Sequence, residues 1–236
     1  MTGATRTSKA YRVRTELDDL LAGLDVGDPV PAERELAARF DVARETVRQA
    51  LHELLVEGRI ERRGRGTVVS RPKLVQPLSL RSYTEGAERM GRVPGRQLIS
   101  WDDVRADEES ARALGIRRGA KVMRLERVLL ADGERIGLES TYLAVSRFGW
   151  LRTTFDPGTS LYSALRESGV TFGAALERIE TALPSPREAL LLGTTTAMPV
   201  LLLNRRTVDQ HDEPIELVRA LYRGDRVAFE ALLVDR

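Results

Sequence analysis

Arginines and carboxylates carry most of the chemistry open to this sequence. Arg44, Glu45, Thr46 and Arg48 stand close together, and an arginine fork can read guanine O6 and N7 at about 1–3 kcal/mol of discrimination per good pair. Arg59, Arg62, Arg63, Arg65, Arg71 and Lys73 then form a basic run broken only by the acid Glu61. Gly64 and Gly66 inside that run let a backbone approach a duplex closely, with Arg65 reaching a groove or a phosphate. Such a local stripe on a chain of net charge +2 points to a polyanion contact at one face. Further on, Ser82 and Glu85 have the spacing of a capping box, which leaves the backbone N–H groups of Tyr83 and Thr84 free at a helix start. Thr159 and Ser160 open another helix, with Tyr162 just inside it. Helix N-termini attract anions through free N–H groups and the dipole, and Arg127, on a strand, could add a two-pronged contact to a phosphate.

Composition removes other chemistry. The 236 residues contain no cysteine, which excludes disulfides, thiolate zinc sites and a cysteine nucleophile. His52 and His211 are the only histidines, too few for a three-histidine metal site, and read as a helix-surface and a turn residue. No nucleophile elbow, metal-ligand cluster or glycine-rich phosphate loop is present, so no catalytic residue, metal or cofactor is expected. No apolar run approaches the ~18 residues of a membrane span. Residues 1–10 are polar and lack the apolar segment of a signal peptide. The expectation is a soluble, cytoplasmic protein.

These residues need elements to hold them. Residues 8–24 read as a first helix, with Val13, Leu17, Leu20, Leu21 and Leu24 on one stripe. Pro31 sits at the start of a second, with Glu33 and Glu35 in the dipole-favoured first turn. A short turn leads to a third helix over 44–57, with Val47, Ala50, Leu51, Leu54 and Leu55 buried and Gly58 as its stop. Residues 60–62 and 67–70 alternate as strands. Helix, helix, tight turn, helix and a basic glycine-tipped hairpin is the layout of a winged helix-turn-helix. Its turn angles the last helix into a major groove. Residues 70–77, with two prolines, read as a linker. Beyond it, strands are expected at 97–104, 121–130, 134–143, 176–183, 200–208, 214–222 and 227–233, with helices at 108–114, 160–168 and 186–192. Hairpins with segregated helices indicate an α+β domain on an antiparallel sheet. The domains are therefore expected at 1–69 and 78–236.

Pro31-Ala-Glu-Arg-Glu-Leu-Ala-Ala-Arg-Phe40, Val42-Ala-Arg-Glu-Thr-Val-Arg-Gln-Ala-Leu51 and Glu57-Gly-Arg-Ile-Glu-Arg-Arg-Gly-Arg-Gly-Thr67 resemble the GntR family of bacterial repressors. The resemblance implies DNA contacts at Arg34, Arg44, Thr46 and Arg48, with Gly66 of the wing entering the minor groove. Ala43 stands where the family usually has serine, and the wing is one residue short; both departures bear on the operator sequence.

The second half is similar to the UTRA effector domain of the HutC subfamily, nearest its DasR/NagR group of amino-sugar-phosphate regulators. Ser82-Tyr-Thr-Glu85, Leu125-Glu-Arg-Val128, Ala131-Asp-Gly-Glu134, Leu138-Glu-Ser-Thr141, Thr159-Ser-Leu-Tyr162 and Tyr222-Arg-Gly-Asp225 carry the likeness. It implies a chorismate-lyase-like fold. It also implies phosphate contacts at Tyr83, Thr84, Arg127, Ser160 and Tyr162, and sugar contacts at Glu139, Glu216 and Tyr222. Solvent exposure competes for Glu139 and Glu216, because strand alternation turns them away from the apolar neighbours Leu138 and Leu217. Two positions beyond Arg127, where the group has a second phosphate arginine, this sequence has Leu129. Either the ligand carries a less demanding anion or another residue compensates; Arg124 faces the wrong side by strand alternation.

The function expected is a homodimeric repressor that binds a palindromic operator in double-stranded DNA, since protein two-fold symmetry is mirrored in the site. A small anionic effector such as an amino-sugar phosphate would modulate it. An enzyme with a chorismate-lyase-like pocket, and a DNA-binding dimer with no effector, are the alternatives.

Overall fold

The computed structural model describes residues 9–233, so Ser8, the expected start of the first helix, lies outside the described residues. The chain divides into two compact units, residues 1–73 and 74–236.

The first unit has three helices, α1 (Lys9–Ala22), α2 (Glu33–Phe40) and α3 (Arg44–Val56), and a hairpin of β1 (Ile60–Arg63) and β2 (Gly66–Val69). The apolar stripes of the helices meet in one core, where Val13, Leu17, Leu36, Val47, Leu54 and Ile60 are fully buried. Replacing a core leucine such as Leu54 by alanine costs about 3–5 kcal/mol at sites of this kind. The helix expected from Pro31 begins two residues later. Ala32 is extended, at φ −65° and ψ 151°, and its N–H donates to the Glu35 carboxylate at 3.3 Å. Asp41, at φ 52°, ends α2 in the left-handed region and makes the tight turn into α3. Arg14 ties α1 to α3 by donating to Glu57 at 2.8 Å. Val30 donates to the Thr67 carbonyl at 2.8 Å, joining the segment before α2 to the hairpin.

The second unit contains β3 (Leu74–Pro77), α4 (Tyr83–Arg89), β4 (Pro94–Arg105), α5 (Glu108–Ala113), β5 (Lys121–Ala131), β6 (Glu134–Ala144), α6 (Val145–Phe148), α7 (Leu151–Thr154), α8 (Leu161–Glu167), β7 (Phe172–Ala182), α9 (Pro186–Leu192), β8 (Val200–Asp209), β9 (Pro214–Arg223) and β10 (Val227–Glu230). Six strands form one antiparallel sheet in the order β4-β5-β6-β9-β8-β7. Met123, Leu125, Leu129, Leu203 and Val218 lie on one face, which is packed by α4, α6, α7, α8 and the β3–β10 pair. Val128, Leu138, Val200 and Leu221 lie on the other, with Leu192 of α9; Val122 packs there with Ala111 of α5.

Three features differ from expectation. Residues 74–77 are not linker but a strand, paired in parallel with β10 from Leu74↔Val227 to Glu230↔Pro77. Leu74 and Gln76 are buried on one side of it, and the partner strand lies too far along the sequence for a local pattern to reveal. β4 starts at Pro94 and β7 at Phe172, earlier than alternation suggests, because each is an edge strand whose outer positions are exposed. The short helices α6 and α7 carry Phe148 and Leu151 into the core and have too few turns to show a period.

Candidate DNA interface and effector pocket

In the first unit, Arg44 is the first residue of α3 and Thr46 its third, so both stand at the exposed N-terminal end. Arg34 lies in the first turn of α2. Arg34, Arg44, Glu45 and Arg48 are exposed and Thr46 is half-buried. Arg48 donates to Glu45 at 2.8 Å and to Glu33 at 3.3 Å. In the wing, Arg62 donates to the Thr67 hydroxyl at 2.8 Å and Arg63 to Glu61 at 2.9 Å. Arg65 sits at the exposed tip, between Gly64 and Gly66. Gly64 has φ +60°, a conformation side chains disfavour, whereas a Cβ on Gly66 would meet only the Arg63 carbonyl at an ordinary 3.8 Å.

In the second unit, one face of the sheet carries a polar cavity with about 60 Å³ of free space. Its walls include Gln76 of β3, Ser82 and Tyr83 at the start of α4, Arg96 of β4, Arg127 of β5, Glu139 of β6, Ser160 and Tyr162 at the start of α8, Arg205 of β8, and Glu216 and Tyr222 of β9. Cross-strand register explains the grouping. Arg127 pairs with Glu139 on the next strand, and Thr207 with Glu216, so their side chains rise together from one face.

Arg127 is buried. It donates to Glu139 Oε1 at 2.6 Å and to the Thr159 carbonyl at 3.1 Å. Burial pushes the Glu139 carboxyl up, but the charge and hydrogen bond of Arg127, helped by Arg96 and Arg205, hold it below the usual carboxylate range. Glu216 behaves oppositely. Burial raises its proton affinity, and the nearby Glu139 charge adds to this, more than its hydrogen bonds offset. Tyr162 donates to Glu216 Oε1 at 2.5 Å and Thr207 donates to the same oxygen at 3.0 Å. Arg205 donates to the Tyr162 hydroxyl at 3.1 Å and to both oxygens of Glu177 at 3.0 Å. Tyr83 donates to the Leu130 carbonyl, and burial pushes its phenol up to about 12. Burial also raises the Tyr222 phenol.

Ser82 caps α4, accepting from the Glu85 N–H at 3.4 Å while Glu85 accepts from the Ser82 N–H at 3.1 Å. Ser160 caps α8 in the same way, accepting from Ser163 N–H at 3.3 Å. Arg96 donates to the Thr84 hydroxyl at 2.6 Å and lies over the Tyr83 ring, 5.6 Å from its centre. Burial, then the neighbouring Arg127 charge, lower its proton affinity.

The family models match in two blocks. Residues 9–69 match the bacterial regulatory proteins of the gntR family, and residues 89–228 match the UTRA domain. The chain is 54% identical over 230 residues to the HTH-type transcriptional repressor PhnF of Mycolicibacterium smegmatis, covering 98% of this chain and 94% of that one. The chain belongs to the GntR family. The crystal structure of PhnF from Mycobacterium smegmatis superposes on this GntR protein with a TM-score of 0.71, covering 95% of this chain and all 100% of that one. The HTH-type transcriptional repressor NagR of Bacillus subtilis is 36% identical over 204 residues, covering 85% of this chain and 84% of that one. This GntR protein is thus a DNA-binding transcription regulator with a UTRA domain. No helix among the described residues is long and apolar enough to cross a membrane.

Of the expected effector residues, Tyr83, Arg127, Glu139, Ser160, Tyr162, Glu216 and Tyr222 line the one cavity. Thr84 stands behind it, held by Arg96. The competing expectation of solvent exposure fails for Glu216, which is 1% exposed. Sequence reasoning missed Arg96, Arg205 and Gln76. For Arg205 a signal was present: Leu201, Leu203, Arg205 and Thr207 alternate onto the same face. For Arg96 there was none, because Pro94-Gly95 reads locally as a turn.

Proposed function

We propose that this GntR protein is a cytoplasmic repressor whose operator affinity is set by a small anionic effector bound in the sheet cavity. The heads of a homodimer would engage the two halves of a palindromic operator in double-stranded DNA. α3 enters the major groove, with Arg44, Glu45, Thr46 and Arg48 at its leading end and Arg34 alongside. Arg65 and Gly66 carry the wing onto the backbone or minor groove. The pairs that Arg48 makes with Glu45 and Glu33 must open for it to reach a base.

The effector's anionic group would sit against Arg127, Tyr83, Thr84, Ser160 and Tyr162. Glu139, Glu216 and Tyr222 face the remainder of the ligand, where carboxylates can accept from several hydroxyls. One observation carries this reading: Arg96 and Arg127 open onto the same cavity, and among the described residues Glu139 is the only carboxylate that either of them bonds. A buried Arg127 paired with Glu139, beside a half-buried Arg96 that donates only to a threonine hydroxyl, favours an added anion, because like charges in a low-dielectric site repel. The cavity also touches β3 through Gln76 and Pro77. β3 is the strand that follows directly on the DNA-binding unit in the chain, so effector binding has a covalent route toward the heads.

A thermal-shift panel on the purified protein tests the reading. It compares amino-sugar phosphates, other sugar phosphates, free sugars and small carboxylates. A ligand at 100 times its dissociation constant stabilises by about 2.7 kcal/mol, a shift of several degrees for a chain this size. A saturable shift with phosphorylated compounds supports the proposal. No saturable shift with any anion contradicts it.

A further inference from the structure

An open groove with about 600 Å³ of free space runs between α3, the start of α2 and β1 of the wing. Glu33, Glu45, Arg48, Gln49, His52 and Arg62 line it. Arg48 bonds both acids, Glu45 at 2.8 Å and Glu33 at 3.3 Å. Gln49 donates to Glu53 at 3.3 Å. The other two nitrogen-bearing side chains have donors to spare. Among the described residues, Arg62 donates only to the Thr67 hydroxyl, at 2.8 Å, and has no carboxylate partner. His52 is exposed and makes no side-chain hydrogen bond among the described residues.

Position along α3 decides what these donors meet. The N-terminal residues of a recognition helix contact base edges. His52 lies eight residues beyond Arg44 on α3, about 12 Å further along the axis at 1.5 Å per residue. The major groove is itself about 12 Å wide. A side chain that far from the base-reading end stands at the groove's far wall, where the sugar-phosphate backbone runs. His52 is one helical turn after Arg48 and shares its face, while Arg62 approaches from the wing. We propose that His52 and Arg62 clamp one DNA phosphate between α3 and the wing, and that operator binding is thereby linked to proton uptake by His52. The inference rests on the docking of α3 proposed above. Imidazoles gain their charge between about pH 8 and pH 5. The charged groups that line the groove with His52 are Glu45 and Arg48 of its own helix, Glu33 of α2 and Arg62 of β1. When Arg48 leaves its two acids for a base, Glu33 and Glu45 remain in the groove. These carboxylates and the incoming phosphate all favour the charged imidazole. Arg62 opposes that proton in the free protein, and a phosphate seated between the two cations removes the opposition.

The test is fluorescence-anisotropy titration of the full chain, without effector, at pH 6 and pH 8 over a series of salt concentrations. The DNA is a fragment the protein selects from a random pool, beside random DNA of equal length. Each phosphate neutralised contributes about 0.9 to the slope of log affinity against log salt. The unaltered protein is expected to bind about 3- to 10-fold more tightly at pH 6 than at pH 8 in about 0.1 M salt, with a slope steeper by up to about 0.9. His52→Gln is expected to keep the pH 8 slope at both pH values. Arg62→Gln should be shallower by about 0.9 at both, and Arg62→Lys, which keeps the charge, should restore the slope. The ratio of operator to random-DNA affinity should stay within about twofold in all three variants, since a phosphate carries no sequence. His211→Gln, in the second unit, should keep the full pH dependence. His52, Arg62 and His211 are exposed, so these variants should melt with the unaltered protein. A His52→Gln protein that retains the pH difference overturns the inference, as does an unaltered protein with one slope at both pH values. An unchanged slope in Arg62→Gln removes the wing arm of the clamp. A tenfold fall in the operator-to-random ratio of His52→Gln overturns the phosphate assignment in favour of base reading. Arg48→Ala separates this inference from the docking it rests on. Unchanged binding there overturns the docking, whereas lost operator discrimination there, with pH dependence intact in His52→Gln, overturns the clamp alone.

Discussion

Arg96 and Leu129 are direct partners in the β4–β5 ladder, so a cation with no carboxylate bonded to it among the described residues stands beside a leucine that is 1% exposed. The pocket therefore keeps two neighbouring arginines although the β5 sequence provides one.

The two pocket carboxylates are expected to respond to pH in opposite directions. Glu139 has a depressed proton affinity, so its stabilising pair with Arg127 is present above the ordinary carboxylate range and is lost as pH falls through it. Glu139→Gln should cost about 3 kcal/mol at neutral pH, because it strands a buried arginine, and the difference from the unaltered protein should shrink in acid. Glu216 has a raised proton affinity, so it contributes less stability as pH rises past the ordinary carboxylate value. A glutamine there can still accept from Tyr162 and Thr207. Glu216→Gln should match the unaltered protein in acid and exceed it at pH 8. Melting curves of both variants from pH 4 to 8 check the signs.

The two wing glycines are expected to separate fold from function. Gly64 needs its left-handed backbone, so Gly64→Ala should cost about 1–2 kcal/mol and lower the melting point of the DNA-binding unit. Gly66→Ala meets no neighbour closer than 3.8 Å and should melt like the unaltered protein. If the wing backbone lies against DNA, Gly66→Ala should still weaken operator binding. Melting curves beside fluorescence-anisotropy titrations decide it.

Arg48 and Arg65 are expected to fail differently. Arg48→Ala should lower operator affinity and relax discrimination among operator variants by about 1–3 kcal/mol at its base. Arg65→Ala should weaken binding to all sequences and reduce the salt slope by about 1. Titrations at several salt concentrations on operator and random DNA distinguish the two. Unchanged binding in both variants contradicts the docking.

Gly86 of α4 probes the link between β3 and the cavity. A Cβ there would come within 2.1 Å of Gln76 Oε1, the end of a flexible side chain that can move aside. Alanine also favours a helix by about 1 kcal/mol over glycine. Gly86→Ala should therefore melt at or above the unaltered protein and bind the effector more weakly, because Gln76 is displaced from the cavity wall. Effector titration beside a melting curve reads both.

Much of this was legible in the sequence where the signal is local. The stripe of Val13, Leu17 and Leu21, the turn at Asp132-Gly133 and the capping box at Ser82 each act within a few residues. Arg127, Glu139 and Glu216 came from a family likeness rather than from any period. What stayed hidden depends on partners distant in sequence. Leu74–Pro77 looks like linker until Val227–Glu230 is beside it, and Arg96 has no meaning until Leu129 is its neighbour.

The most direct test measures operator affinity with and without a saturating anionic effector, on a DNA fragment the protein selects from a random pool. The account predicts that effector lowers affinity at least about tenfold, a coupling of about 1.4 kcal/mol, and that Arg127→Gln binds the operator normally but no longer responds. Operator affinity unchanged while the pocket is demonstrably saturated would contradict it.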